Sequence, residues 1–191
     1  MKENKHRTAS MKHVVSDDFE FFHYRDEEAR NFEYKNHDVY EVYFLISGRV
    51  TYLVEGRSYA MKPGDILLIN NRELHKPVLE PGETYERIIL WIKPDFLMKH
   101  SIEGCNLSEC FERTYRDKQN LIRPKAEMLR VIKNSILMLE ESCDSHEFGS
   151  HILKNSYLME IIVYLNRYFL KVHKSNLPSD VKYNEKIDRV I

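Results

Sequence analysis

Short runs of β-branched and aromatic residues dominate the first half of the chain. They fall at 19–24, 32–37, 39–47, 50–54, 59–62, 66–70, 75–79 and 85–93, and Gly, Pro or Asp/Asn-rich text separates them. About eight strands at this spacing leave no room for crossover helices, so the segment predicts a small antiparallel barrel or sandwich. Within 35–46 the alternation puts Lys35, His37, Val39, Glu41 and Tyr43 on one face and Tyr40, Val42, Phe44 and Ile46 on the other. The second set is core filler. The first mixes ionisable and aromatic groups and suits either a pocket inside a barrel or a solvated face.

After Pro94 the period changes. Asp95 to Met98 begin a short helix, and 101–120 reads as a loop with a helical turn. From about Arg123 the apolar residues Leu129, Ile132, Ile136 and Leu139 step by three and four, as in a helix with one buried face. A longer helix is expected over 147–172 with two apolar stripes, one of Leu153, Tyr157, Ile161, Tyr164 and Tyr168, the other of Leu158, Ile162, Leu165 and Phe169. Together the stripes cover more than half the helix circumference, which calls for two internal partners or a partner subunit. Residues 1–13 read as a flexible arm. The segment 174–182 has linker composition, and 183–191 starts a further amphipathic helix with Ile187, Val190 and Ile191 apolar.

Composition narrows the function classes. The net charge of −1 carries no basic excess, so this chain by itself gives no support for nucleic-acid binding. No apolar stretch has the length of a membrane span, and the polar N-terminus has no signal-peptide core, so a cytoplasmic location is expected. Three cysteines, Cys105, Cys110 and Cys143, cannot all pair, which favours reduced thiols. There is no Gly-x-Ser-x-Gly elbow and no phosphate-cradling glycine loop.

One ordered set of residues remains: His37, Glu41, Ser47-Gly48, Pro63-Gly64-Asp65 and His75. This set, with strand-like text between, resembles the cupin superfamily and within it the N-terminal sensor domain of AraC-type transcriptional regulators. The resemblance implies a mostly β fold with an α appendage. A cupin-like double-stranded β-helix (jelly roll) at 14–94 would be followed by a helical dimerisation region at 95–173. It further implies a small effector in the barrel, with His37, Glu41, Tyr43, His75 and Trp91 as ligand-binding residues and a carbohydrate as the class expected by analogy. A homodimer through Leu153, Tyr157, Ile161, Tyr164 and Tyr168 is implied as well. The 174–191 segment would be a linker and the start of a truncated helix-turn-helix module, through which alone DNA would be bound.

The same residues allow other roles. His37 and Glu41 can be a hydrogen-bonded pair holding a barrel mouth, His75 can satisfy backbone groups, and Trp91 can be core packing or a stacking surface. Tyr43 and Arg87 share that ambiguity. Metal-bearing cupins carry two His one residue apart, a Glu and a later His. Here Lys35 stands where the first His would be and Leu67 where the later one would fall. An ammonium opposes a cation, so no metal and no cofactor are expected and no catalytic residue is assigned. A metal-dependent cupin enzyme, an isomerase or dioxygenase, is the alternative, followed by a stand-alone binding cupin.

Overall fold

The computed structural model describes residues 10–27, 31–172 and 181–183. Among these residues ten strands form two sheets. The strands are β1 (Ser10–Val15), β2 (Phe19–Asp26), β3 (Tyr40–Ser47), β4 (Val50–Val54), β5 (Arg57–Met61), β6 (Ile66–Ile69), β7 (His75–Leu79), β8 (Tyr85–Ile92), β9 (Leu121–Ile122) and β10 (Val181–Tyr183). One sheet runs β1-β2-β8-β3-β6-β9, the other β10-β5-β4-β7, and every pairing is antiparallel.

The two faces of the large sheet divide the apolar residues between two cores. Register places Phe22 opposite Ile89, Tyr43 opposite Ile89 and Glu41 opposite Trp91, so these share the face that looks into the barrel. There they meet Tyr52, Val54 and Tyr59 of the small sheet. The other face, with Phe19, Phe21, Tyr40, Val42, Phe44, Ile88 and Leu90, packs against helices. Both faces of β3 are therefore buried, and Glu41 lies on the barrel side.

Among the described residues four helices follow: α1 (Pro94–His100), α2 (Glu109–Asp117), α3 (Ala126–Asp144) and α4 (Ser150–Val172). Pro94 opens α1, where its missing N–H costs nothing. Helices α3 and α4 form a hairpin whose inner residues, Ile132, Ile136, Leu139, Leu158, Ile162 and Leu165, complete the outer core. Asn166 of α4 accepts from the Cys110 N–H at 2.9 Å and donates to the Leu107 carbonyl at 2.9 Å, which ties α4 to the start of α2. Gly64, with φ +92°, lies with its Cα facing Leu129 of α3, so the β5–β6 turn is a docking point for the helical hairpin. Arg123, in the approach to α3, donates to both carboxylate oxygens of Asp65 in the same turn.

Several expectations change. Residues 32–37 are not a strand; the segment is a connector that meets the start of β7 through the bridge of Lys35 to His75. The 101–120 stretch contains α2, whose buried side consists of Cys110, Phe111 and Thr114. Ser10–Val15 is a strand paired with β2 rather than loose arm, while 1–9 lie outside the described residues. Strand β9 arises within the helical region, yet it joins the barrel sheet through Leu67 and Leu121, so the boundary at 94 does not separate the two parts. Val181–Tyr183 pairs with β5, and 173–180 and 184–191 lie outside the described residues, as does the expected final helix. Ile161, expected on a dimerisation stripe, is fully buried in its own chain. Tyr157, Tyr164 and Tyr168 are half-buried against the same core, and only Leu153 of that stripe is exposed. None of the three cysteines forms a disulfide among the described residues, and Cys110 and Cys143 are buried.

Candidate functional site

Glu41 is the centre of the site and is wholly buried. Its position on β3 places it opposite Trp91 of β8, whose indole N–H donates to Glu41 Oε2 at 2.8 Å. Tyr52 of β4 reaches across from the small sheet and donates to Oε1 at 3.1 Å. His37 Nε2 donates to Oε2 at 3.0 Å, while His37 Nδ1 faces the Val39 carbonyl at 3.1 Å. Lys35 Nζ lies 3.7 Å from the same Oε2. Burial alone would raise the Glu41 carboxyl; the Lys35 charge, the His37 hydrogen bond and the nearby His75 outweigh it and hold the group well below the usual carboxylate range.

His75, at the start of β7, comes beside this group because Lys35 and His75 exchange backbone hydrogen bonds, 3.1 and 3.0 Å. Its Nδ1 donates to the Glu73 carbonyl at 2.9 Å. That leaves Nε2 buried, 3.6 Å from Glu41 Oε2 and without a hydrogen-bond partner among the described residues. The ring of His37 tilts against Trp91 and stands edge-on to His75.

Such an arrangement has half the features of a metal centre. Donor atoms of His37, Glu41 and His75 lie within 4.8 Å of one another, and both histidines fix their Nδ1 on backbone carbonyls, as ligating histidines do. The other half is missing. The carboxylate oxygen nearest both histidines already takes the Trp91 N–H and the Lys35 charge, so a cation would have to displace an ammonium that neutralises the same group. The donor atoms are present, but the charge balance of a metal site is not.

Beside this polar centre opens a cavity of about 360 Å³. Its walls are Phe22, Tyr24 and Phe32 on one side, Tyr43, Tyr52 and Tyr85 at the base, and Lys35, Arg87 and Trp91 as the polar and aromatic rim. Arg87 is buried, pairs with Asp26, and lies over the rings of Tyr24 and Tyr85. Lys35 lies over the Trp91 ring. The Tyr43 and Tyr85 hydroxyls share a hydrogen bond of 2.5 Å. Burial pushes the Tyr43 and Tyr52 phenols well above their ordinary value and Tyr85 up to about 12, so all three remain hydroxyl donors.

Of the five residues proposed from the sequence, Tyr43 and Trp91 line the cavity. His37, Glu41 and His75 are brought together as expected, but behind the wall, where they act on the cavity through Lys35, Tyr52 and Trp91. Tyr52, Tyr85, Phe22, Tyr24 and Phe32 did not stand out in the sequence as wall residues. Alternation along 50–54 marks Tyr52 as facing with Val50 and Val54, but only strand pairing shows that this face meets Glu41.

Residues 20–162 match the AraC-like ligand binding domain, and the chain belongs to that family. Solved structures similar to it at low identity include two cupins. An RmlC-like cupin with a double-stranded β-helix fold from Methanocaldococcus jannaschii is 13% identical, covering 49% of this chain and 86% of that one, with a TM-score of 0.41. A cupin-2 domain protein from Shewanella frigidimarina is 20% identical, covering 46% and 83%, with a TM-score of 0.37. KdgF from Halomonas sp. is 15% identical, covering 44% and 81%, with a TM-score of 0.39. No curated protein matches the chain. The fold is two antiparallel sheets followed by a helical region, the chain belongs to a ligand-binding domain family, and no helix among the described residues is long and apolar enough to cross a membrane.

Proposed function

We propose that this chain is the sensing part of a transcriptional regulator: a small effector enters the barrel, and its binding changes the geometry of the helical region that carries signal to a DNA-reading module. Catalysis forms no part of this reading. The observation that supports it is the cavity itself, walled by aromatic rings and backed by a self-neutralised polar centre in Glu41, Lys35 and His37. A group so fully satisfied holds shape and orients its neighbours, whereas a general base needs a free lone pair aimed at a substrate. Helices α3 and α4 pack on the outer face of the sheet whose inner face bears Glu41, Trp91 and Arg87, which gives a short mechanical path from cavity to helices. A ligand moves such an equilibrium only by its unequal affinity for the two states, typically about 1–3 kcal/mol.

The test is a thermal-shift screen of small metabolites, read together with emission from Trp91, the single tryptophan. A true effector raises the unfolding midpoint and changes Trp91 emission in the same concentration range. A protein that answers to no member of a broad metabolite panel by either signal counts against the reading.

A metal-dependent enzyme is the second reading, favoured by one observation, the unpartnered buried Nε2 of His75. Elemental analysis of protein purified without chelators separates the two. The sensor reading expects well under a tenth of a metal per chain, and a stoichiometric transition metal would favour the enzyme.

A further inference from the structure

The hydrogen-bonding groups around the cavity are unevenly divided between donors and acceptors, and this bears on what the cavity takes. Its buried carboxylate acceptors are engaged, and what remains to accept is the weaker tyrosine oxygens and Glu33. Both oxygens of Glu41 receive protein donors, and Asp26, which stands behind Arg87, holds the guanidinium. Glu33 lies at the exposed rim in water. The donors are not spent. Among the described residues, Lys35 Nζ has only an ion-pair contact at 3.7 Å and a ring beneath it. Arg87, with five N–H donors to give, has one carboxylate partner among the described residues, Asp26. Of the two hydrogens on the Tyr43 and Tyr85 hydroxyls, only one is used in the bond between them.

A neutral polyol is poorly matched to such walls. Each sugar hydroxyl brought out of water has a hydrogen to donate, and a buried donor without an acceptor costs about 1–3 kcal/mol. A cationic ligand is poorly matched too, because Arg87 already occupies the faces of Tyr24 and Tyr85, and Lys35 that of Trp91. An ionised carboxylate only accepts, and it answers both cations and the free phenol hydrogen at once. The remaining wall, Phe22, Phe32, Pro77 and Ile89, is apolar. We propose that the cavity binds a small organic acid, its carboxylate held by Lys35 and Arg87 and its compact apolar body, aromatic or alicyclic, laid against Phe22, Phe32 and Pro77. This rests on the effector-pocket reading above and narrows its ligand class away from carbohydrates. A volume of about 360 Å³ accommodates a benzoate-sized acid with space for water.

The experiment titrates this chain with benzoate, 3-phenylpropionate and cyclohexanecarboxylate, with the neutral isosteres benzyl alcohol and benzamide, and with arabinose and glucose, following Trp91 emission and calorimetric heat. At least one acid binds on the order of tenfold or more tighter than its neutral isostere and than either sugar. Lys35→Met removes most of that advantage. Arg87→Lys, which keeps a charge beside Asp26, weakens the acid by on the order of tenfold through loss of the fork geometry. If Arg87→Lys does not fold, the comparison of acid with isostere on the unaltered chain still decides the matter. Equal affinity for acid and isostere, or a sugar that binds where no acid does, overturns the organic-acid inference and leaves the effector pocket standing. Silence from every acid also overturns it; silence from the sugars and isosteres as well counts against the pocket reading itself.

Discussion

Glu41 is the residue on which the site's stability turns. Its folded carboxyl is held below the usual range by Lys35 and His37 against the push of burial, so the unfolded chain takes up a proton at higher pH than the native one. The stabilisation is complete above the ordinary glutamate value of about 4.3 and is lost as pH falls from there towards the depressed native value. Denaturant titrations between pH 7 and pH 3 therefore show a falling stability for the native sequence, and Glu41→Gln flattens the part of that fall due to this group. At pH 7 the same substitution costs about 3 kcal/mol, because Lys35 and His37 are left beside a neutral amide. A variant that loses nothing at pH 7 and keeps the same acid limb would show that Glu41 is not the ionised centre. The His37–Glu41 relation was legible in the sequence, since residues four apart share a strand face, and here His37 lies just before β3 in line with it. Recruitment of His75 was not legible as geometry. It depends on the pairing of 35 with 75, a contact across the barrel that leaves no local pattern.

At the scale of elements, the joints between barrel and helices are made by unassuming residues. Adding a methyl group at Gly64 meets Leu129 Cδ2 at 3.2 Å, and the φ of +92° is one that side chains rarely adopt. Gly64→Ala therefore costs about 1–3 kcal/mol in strain and displaced packing, measured by urea denaturation. An unchanged midpoint would mean that α3 is not seated on this turn. Asn166→Ala removes the acceptor of the Cys110 N–H and the donor to the Leu107 carbonyl, both buried, and costs about 2 kcal/mol. These joints also explain which elements could be read in advance. Strands β3 to β8 carry alternating or continuous apolar text bounded by Gly, Pro and Asp, and their limits in the sequence are close to those in the structure. Helix α2 escaped because its exposed side is charged and its buried side is only Cys110, Phe111 and Thr114, so 101–120 looked polar on average. The 32–37 segment misled in the opposite sense. Its alternation of Phe32, Tyr34 and charged residues is strand-like, but Phe32 lines the cavity and Tyr34 lies under Lys76 instead of joining a ladder.

For the whole molecule, the proposed sensor reading turns on whether two chains associate, because on that reading DNA-reading modules are moved relative to each other and a second copy is needed. The inner stripe of α4 is consumed by its own chain, with Leu158, Ile161, Ile162 and Leu165 fully buried. Apolar surface nonetheless remains on the outside. Phe148 is fully exposed, and Ile152 and Leu153 are 59% and 47% exposed, all within one and a half turns of the start of α4. Leu137 on the outer side of α3 is exposed as well. Single exposed apolar residues are ordinary, but three close together at a helix start form a patch of the sort that subunits bury. The expectation of a dimer through the helices thus survives as a proposal with its centre moved from Ile161 and Tyr164 towards Phe148, Ile152 and Leu153. Light scattering at micromolar concentration should give twice the 22.9 kDa chain mass. The double substitution Ile152→Glu with Leu153→Glu should return it to the single-chain mass, since like charges facing each other across a two-fold interface cannot be buried unpaired. Both side chains are exposed within the chain, so the variant should keep its unfolding midpoint to within about 0.5 kcal/mol of stability and retain its Trp91 response to ligand. A native chain that is monomeric up to tens of micromolar would sink the dimer. A charged variant that stays dimeric would place the contact elsewhere on the helical hairpin.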